Sequence, residues 1–166
     1  MGRQQVLKQL AKAWESFNES YAGLSEAQLQ EPGVTGKWSV RDIVAHVTTW
    51  EEEALKYLPL ILEGKRPPLY SHQYGGIDAF NALMTERKKD LSLAEVLQQQ
   101  DEKHNRLLDY LDGVPEENFA SEGRFRRRLR ADTYSHYPKH AKAILRWREQ
   151  QKERRSESAT KEGGTA

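Results

Sequence analysis

Apolar side chains recur along this chain at steps of three and four residues, which is the spacing of one face of an α-helix. The first stripe comprises Leu7, Leu10, Trp14, Phe17 and Tyr21. We found no convincing β-strand pattern. Four long amphipathic helices without strands predict an all-α fold, a four-helix bundle. The predicted helices span residues 4–21, 39–64, 92–113 and 133–150.

The sequence also predicts how these helices are bounded and connected. Ser39 with Asp42, and Ser92 with Glu95, have the spacing at which a side chain caps a helix start. The long connection over residues 64–91 holds Pro and Gly pairs and a predicted short extra helix over Ile77–Lys88. We therefore expect residues 1–150 to form a single four-helix-bundle domain and residues 151–166 to form a charged flexible tail.

Composition excludes several classes of function. The chain has no cysteine, which rules out disulfides, thiolate metal sites and a cysteine nucleophile. Its 26 basic and 25 acidic residues give a net charge of +1, so nucleic acid is an unlikely partner. Neither a signal peptide nor an apolar stretch long enough to span a membrane is apparent. These features predict a cytoplasmic protein that does not associate with membranes.

Three histidines form the strongest candidate site. His136 and His140 are four residues apart, so on a helix they share one face, and that face is apolar. His46 lies about as far into the second helix as this pair lies into the fourth. If these two helices run parallel, all three imidazoles meet at one level and leave positions open on a bound ion. The spacing therefore predicts a metal site of His46, His136 and His140.

Two other interpretations stay open at this point. Histidines on an apolar face are also found as hydrogen-bonded core groups that bind no metal. Pro138 lies between the pair and cannot donate a backbone hydrogen bond, so the fourth helix either kinks there or begins there. In the second case the geometry of the pair changes.

Two further residues have weaker claims to the site. His104, on the apolar stripe of the third helix, is a candidate additional ligand or a buried core histidine. Glu53 lies seven residues after His46 on nearly the same line of the helix, so it is a candidate general base, or else a solvated carboxylate. His72 is expected at the surface.

Five arginines lie within the seven residues from Arg124 to Arg130, in what we predict to be a loop. Such a cluster is compatible with a solvated loop, with binding of a small anion or with contacts to nucleic acid. The sequence leaves its role open.

The segments GKWSVRDIVAHVTTWEE (36–52) and DTYSHYPKHAKAILRW (132–147) resemble the DinB/YfiT-like superfamily, and within it the ClbS/DfsB-type four-helix-bundle group. The resemblance covers roughly residues 5–150. It implies a four-helix bundle, commonly dimeric. In many such proteins three histidines, matching His46, His136 and His140 here, bind a divalent metal. In the ClbS/DfsB group these histidines are not uniform.

Together the residues and the resemblance lead to two hypotheses. The first is a metal-dependent hydrolase or thiol-dependent transferase that acts on a small electrophilic molecule in stress or self-protection. Zn, Ni, Mn and Fe all suit an imidazole site without thiolate, so the identity of the ion is open. The second is a non-catalytic or metal-free bundle that binds and sequesters a small molecule.

The chain is also expected to form a homodimer. It has 4 Trp and 7 Tyr, more than the core of one small bundle obviously needs, and the resemblance indicates the same. Light scattering at micromolar concentration should give twice the chain mass of 19.2 kDa. A monomer at that concentration would contradict the prediction.

Overall fold

The computed structural model describes residues 1–164, and in this part of the chain every regular element is helical. Four helices are long, and the others lie in the connections between them. The long connections thereby become ordered parts of the fold. The helices are α1 (Arg3–Tyr21), α2 (Glu26–Leu29), α3 (Val40–Leu62), α4 (Tyr70–Gln73), α5 (Ile77–Lys88), α6 (Leu93–Asp112), α7 (Glu117–Ala120), α8 (Arg124–Asp132) and α9 (Tyr137–Gly163).

The long helices α1, α3, α6 and α9 form the predicted four-helix bundle. Helix α1 packs along α9, and α3 packs along α6 and α8, whereas α3 and α9 meet over only a short stretch. The predicted apolar stripes supply the core. Its fully buried large side chains include Leu10, Phe17, Ile43, Leu58, Leu107, Leu111, Leu129, Tyr137 and Ile144.

Both predicted helix caps are present. The Ser39 hydroxyl accepts a hydrogen bond from the amide of Asp42 at 3.1 Å, and the Asp42 carboxylate accepts one from the amide of Ser39 at 3.0 Å. Ser92 and Glu95 make the same reciprocal pair at the start of α6. Each cap satisfies two amides that the helix itself leaves unpaired, which sets where the helix begins. The predicted extra helix, α5, has the expected bounds.

The structure corrects the prediction that residues 124–130 form a loop, because they belong to helix α8. Phe125 and Leu129 are one helical turn apart and both are buried, so they give α8 an apolar face that packs on α3. Five arginines in seven residues obscured this two-residue stripe in the sequence.

The fourth long helix also begins later than predicted, at Tyr137 rather than near Thr133. Residues 133–136 form turns between α8 and α9. Pro138 lies in the first turn of α9, where a missing amide hydrogen costs no hydrogen bond and the fixed φ of proline favours the helix. The proline therefore marks a helix start and does not kink a longer helix.

At its other end α9 continues through Gly163, so residues 151–163 of the predicted charged flexible tail are helical. Residues 152–164 are exposed, as expected for a segment without an apolar stripe. Residues 165 and 166, the last of the predicted tail, lie outside the described residues. Within residues 1–164, no helix combines the length and the apolar character that crossing a membrane requires.

Removing residues 153–166 should leave the melting temperature unchanged, because the part of this segment that the structure describes buries no apolar side chain. Calorimetry on the full-length and shortened chains tests this. Trp147→Ala is the matched control on the same helix. Trp147 is 5% exposed, and truncating such a side chain should cost about 3–5 kcal/mol. A drop of several degrees in the shortened chain would contradict the prediction.

Candidate metal centre

Three imidazole rings converge between α3 and the start of α9. The Nε2 atom of His136 lies 3.0 Å from Nε2 of His46 and 2.9 Å from Nε2 of His140. One nitrogen from each of the three histidines lies within 4.8 Å of the other two. The structure thus brings together the three residues that the sequence singled out.

The backbone places each ring. His46 is on α3, His140 is in the first turn of α9, and His136 occupies the N-cap position of that helix with φ −83° and ψ −48°. Because these angles are helical, His136 keeps its side chain beside His140 although the helix proper begins one residue later. The carbonyl of Thr133 accepts hydrogen bonds from the amides of His136 and Tyr137 at 2.7 and 2.9 Å, which fixes the turn.

The contacts around His136 exceed what its Nε2 atom can satisfy. An imidazole nitrogen offers either one N–H or one lone pair in the ring plane. It therefore makes one good hydrogen bond, yet Nε2 of His136 has a second nitrogen at the same short distance. At least one of the two contacts therefore cannot be a good hydrogen bond. A cation that accepts a lone pair from each ring would satisfy all three nitrogens.

The three rings are neutral at pH 7. Burial lowers the pKa of His46 to about 3, that of His136 to about 2 and that of His140 to about 4. Neighbouring charges add to the effect: His140 acts on both His46 and His136, and Lys139 acts on His136 and His140. Neutral imidazole is the form that binds a metal ion, so no proton has to be displaced at neutral pH.

The donor set fits a divalent transition metal. Three imidazole nitrogens without thiolate suit Zn, Ni, Mn or Fe, and three protein ligands leave coordination positions open for small molecules. Nδ1 of His136 is buried and has no hydrogen-bond partner in the described part of the chain. Metal-binding histidines usually donate this second N–H to a neighbouring acceptor. His136 therefore lacks a partner that would orient its ring from behind.

An open cleft of about 370 Å³ leads to His46 and His136. Its lining combines aromatic rings with charged groups. Lys139 is exposed there, whereas Asp132 is 3% exposed. The lining residues are His46, Trp50, Tyr70, Ile77, Asn81, Arg128, Ala131, Asp132, His136 and Lys139.

A chain of hydrogen bonds forms one side of this cleft. The Tyr70 hydroxyl donates to Glu53 at 2.7 Å and accepts from Nη2 of Arg128 at 2.8 Å, and Nε of Arg128 donates to Asp132 at 2.5 Å. Arg128 thus contacts the Asp132 carboxyl group directly and reaches that of Glu53 only through the Tyr70 hydroxyl. Burial raises the pKa of Asp132 to about 7; Arg128 opposes this and Glu53 adds to it.

This chain of contacts changes the candidates for acid–base chemistry. The Glu53 carboxylate is held by Tyr70, and Glu53 is absent from the cleft lining. Asp132, which the sequence reasoning missed, lines the cleft together with His136. Arg128, Asp132 and His136 are spaced four residues apart, which on a helix would place them on one face. The predicted loop over residues 124–130 kept this spacing from being interpreted as a helical face.

His104 lies elsewhere in the bundle. Its Nδ1 atom is 3.3 Å from a carboxylate oxygen of Glu51, and its ring stacks on Trp14 at 3.7 Å. The Tyr137 hydroxyl donates to the same carboxylate at 2.9 Å. His104 is therefore a buried, hydrogen-bonded core histidine and is not part of the three-histidine cluster. His72 is exposed on α4, as expected for a surface residue.

The arginine cluster is mostly engaged within the protein. Arg124 donates to the carbonyls of residues 64 and 65, Arg126 and Arg130 pair with Glu122, and Arg128 pairs with Asp132. Arg127 is the exposed member. These contacts give the cluster a structural role in holding α8 to its neighbours.

Asp132 should make the stability of the metal-free protein fall as pH rises. Its pKa is about 7 in the folded chain, against 3.8 for an ordinary Asp, so between these values the folded state holds a proton that the unfolded state has lost. Stability from this group is present below about pH 4 and lost as pH approaches about 7. The three histidines change stability in the opposite direction over this range, because burial lowers their pKa values, so the test is the difference between variant and wild type. In chemical denaturation with a chelator present, Asp132→Asn should gain stability relative to wild type as pH rises from about 4 to about 7. Equal slopes would contradict the prediction.

The DinB superfamily pattern matches residues 9–141. No curated protein matches the chain. Among solved structures, "Sibling Lethal Factor Precursor - DfsB" is similar with a TM-score of 0.77 at 15% identity, covering 91% of this chain and 97% of its own. The colibactin self-resistance protein ClbS, solved in complex with a dsDNA, is similar with a TM-score of 0.73 at 14% identity. The match covers 87% of this chain and 94% of the ClbS chain. An uncharacterised protein from Escherichia coli UTI89 is similar with a TM-score of 0.77 at 12% identity. The match covers 91% of this chain and 95% of that protein's chain.

These likenesses show a shared fold, and the match over residues 9–141 spans most of the chain. The family resemblance seen in residues 36–52 and 132–147 is confirmed. The chain belongs to the DinB superfamily.

Proposed function

We propose that this protein is a metal-dependent hydrolase that acts on a small electrophilic molecule, with His46, His136 and His140 as the metal ligands. The observation that carries the proposal is the convergence of three neutral Nε2 atoms whose contacts hydrogen bonding cannot satisfy. A thiol-dependent transferase would use the same site with a thiol in place of water.

The cleft beside the histidines is suited to a small substrate. Its volume of about 370 Å³ is near the lower end of the range usual for small-molecule sites. Trp50 and Tyr70 provide flat apolar surface, and the exposed Lys139 provides a positive charge at the edge. A substrate with an apolar body and a polar or anionic end matches this lining.

The remaining groups suggest how the reaction would proceed. A divalent ion held by the histidines would supply Lewis acidity, polarising a water, a thiol or a substrate oxygen. The Asp132 carboxyl, with a pKa near 7, is poised to take a proton from the nucleophile and return it to the leaving group. Arg128 holds that carboxyl in place, and Glu53 with Tyr70 holds Arg128.

A role in self-protection or stress is supported by the similar structures. ClbS is described as a colibactin self-resistance protein. A small bundle with a cleft open to solvent would suit the interception of a reactive compound.

DNA is a second candidate ligand, because ClbS was solved in complex with a dsDNA. Four of the five arginines of α8 already have partners within the protein, which leaves Arg127 as the member most available to a DNA phosphate. Titration of a labelled duplex at two salt concentrations separates the cases. Affinity that falls steeply with salt would establish phosphate contacts, and absence of binding at low salt would exclude DNA.

The metal site makes the first testable prediction of this proposal. Wild-type protein should bind one Zn²⁺ per chain in titration calorimetry, and replacing His46, His136 or His140 by Ala should weaken binding at least 100-fold, roughly the loss of one ligand from three. His72→Ala is the matched control and should bind as wild type does, because that side chain is exposed on α4.

Failure of the wild type to bind Zn²⁺, Ni²⁺ or Mn²⁺ more tightly than about millimolar would contradict metal dependence. The alternative would then be favoured, a metal-free bundle that binds and sequesters a small molecule. Equal weakening by His72→Ala would show that the measured binding is non-specific.

Catalysis makes the second prediction. Metal-loaded protein should hydrolyse members of a panel of chromogenic esters and epoxides, and Asp132→Asn should lower kcat by about 10²–10⁴-fold while leaving Zn²⁺ affinity nearly unchanged, since Asn cannot exchange a proton. Rate acceleration that appears only when a thiol is added would favour the transferase. An Asp132→Asn variant with wild-type kcat would remove Asp132 from the mechanism.

A further inference from the structure

The three histidines span a junction between two helices that have little contact with each other. Helix α9 packs mainly on α1, and α3 packs mainly on α6 and α8. His46 belongs to α3, whereas His136 and His140 belong to the start of α9. Packing of these two helices against each other is therefore a weak constraint on the distances between the ligand nitrogens.

One hydrogen bond crosses this junction away from the histidines. The Tyr137 hydroxyl donates to the Glu51 carboxylate at 2.9 Å, and these residues are 0% and 1% exposed. Within residues 1–164, no other side-chain hydrogen bond joins α3 to α9, if the contact between the His46 and His136 rings is set aside. Tyr137 directly follows His136, and Glu51 is five residues after His46.

The carboxylate that accepts this bond is itself held firmly. Nδ1 of His104 on α6 lies 3.3 Å from it, and the His104 ring stacks within 4° of parallel on Trp14 of α1. Each of the four long helices thus contributes one residue to a single cluster, in which Glu51, His104 and Tyr137 are buried and Trp14 is partly buried. Burial raises the pKa of Glu51, and the hydrogen bonds from His104 and Tyr137 oppose that rise.

We propose that the hydrogen bond from Tyr137 to Glu51 is a positioning contact that holds His136 at the distance from His46 required for metal binding. The inference rests on the proposed metal site and adds residues that would not touch the ion. It also explains how the His136 ring is placed although its Nδ1 atom has no partner of its own in the described residues. The orientation that a neighbouring acceptor normally gives to a ligand ring comes here through the adjacent residue.

Removal of the Tyr137 hydroxyl group tests the proposal. Tyr137→Phe removes only the hydroxyl and should weaken Co²⁺ affinity about 10- to 100-fold, the range typical for partners that orient metal ligands. The visible absorption of the Co²⁺-loaded protein should also shift, because that spectrum reports ligand geometry. The full chain and Co²⁺ alone are sufficient, so no substrate is needed.

Tyr21→Phe is the matched control. The Tyr21 hydroxyl also makes side-chain hydrogen bonds, to Asn18 at 2.7 Å and with Gln100 at 2.8 Å, but these are partly buried and join α1 to α6. Its loss should lower the melting temperature while leaving the Co²⁺ spectrum and affinity unchanged. An equal loss of Co²⁺ affinity in both variants would show a general effect of stability and overturn the proposal.

Variants of Glu51 separate position from charge. Glu51→Gln keeps an oxygen that accepts from Tyr137, so it should bind Co²⁺ within about threefold of wild type, whereas Glu51→Leu should resemble Tyr137→Phe. If Tyr137→Phe does not fold, this pair decides. Loss of affinity in Glu51→Gln equal to that in Glu51→Leu would assign the effect to charge and overturn the positioning role.

The outcomes also distinguish this inference from the proposed function. Wild-type Co²⁺ binding that Tyr137→Phe leaves unchanged in affinity and spectrum would overturn the positioning contact alone. A wild-type protein that binds neither Co²⁺ nor Zn²⁺ would overturn both proposals.

Discussion

Three imidazole nitrogens crowd around one point in the bundle, and Nε2 of His136 has two nitrogen neighbours at 3.0 Å or less where it can satisfy only one. Burial lowers the pKa of each ring, so all three are neutral at pH 7. Polar groups that are withdrawn from solvent without good hydrogen-bond partners cost folding free energy. We therefore expect such a cluster to be retained because it serves a function. Coordination of one ion would turn this unfavourable arrangement into the most favourable contact between α3 and α9.

Much of the fold follows from local signals in the sequence. The capping pairs at Ser39 and Ser92 set where α3 and α6 begin, and the apolar stripes determine which faces are buried. These signals act within a few residues, so a single sequence reveals them. Helix α8 was missed because Phe125 and Leu129 make only a two-residue stripe among arginines, and its helical character depends on packing against α3.

The candidate site was predictable where it depended on helix spacing and hidden where it depended on tertiary contacts. His46, His136 and His140 could be grouped from their positions along two helices. The four-residue spacing of Asp132 from His136 is visible in the sequence, but its raised pKa is not, because that arises from burial and from Glu53, which is remote in sequence. Likewise, His104 has the same side chain as the proposed ligands, and only its stacking on Trp14 and its contact with Glu51 identify it as a core residue.

Zinc X-ray absorption on the loaded protein tests the central claim most directly, because it counts the ligand atoms around the ion. Coordination by the three histidines predicts three imidazole nitrogens at about 2.0–2.1 Å and the loss of one in His46→Ala. A spectrum with oxygen ligands alone, or one that His46→Ala leaves unchanged, would contradict metal binding at this site.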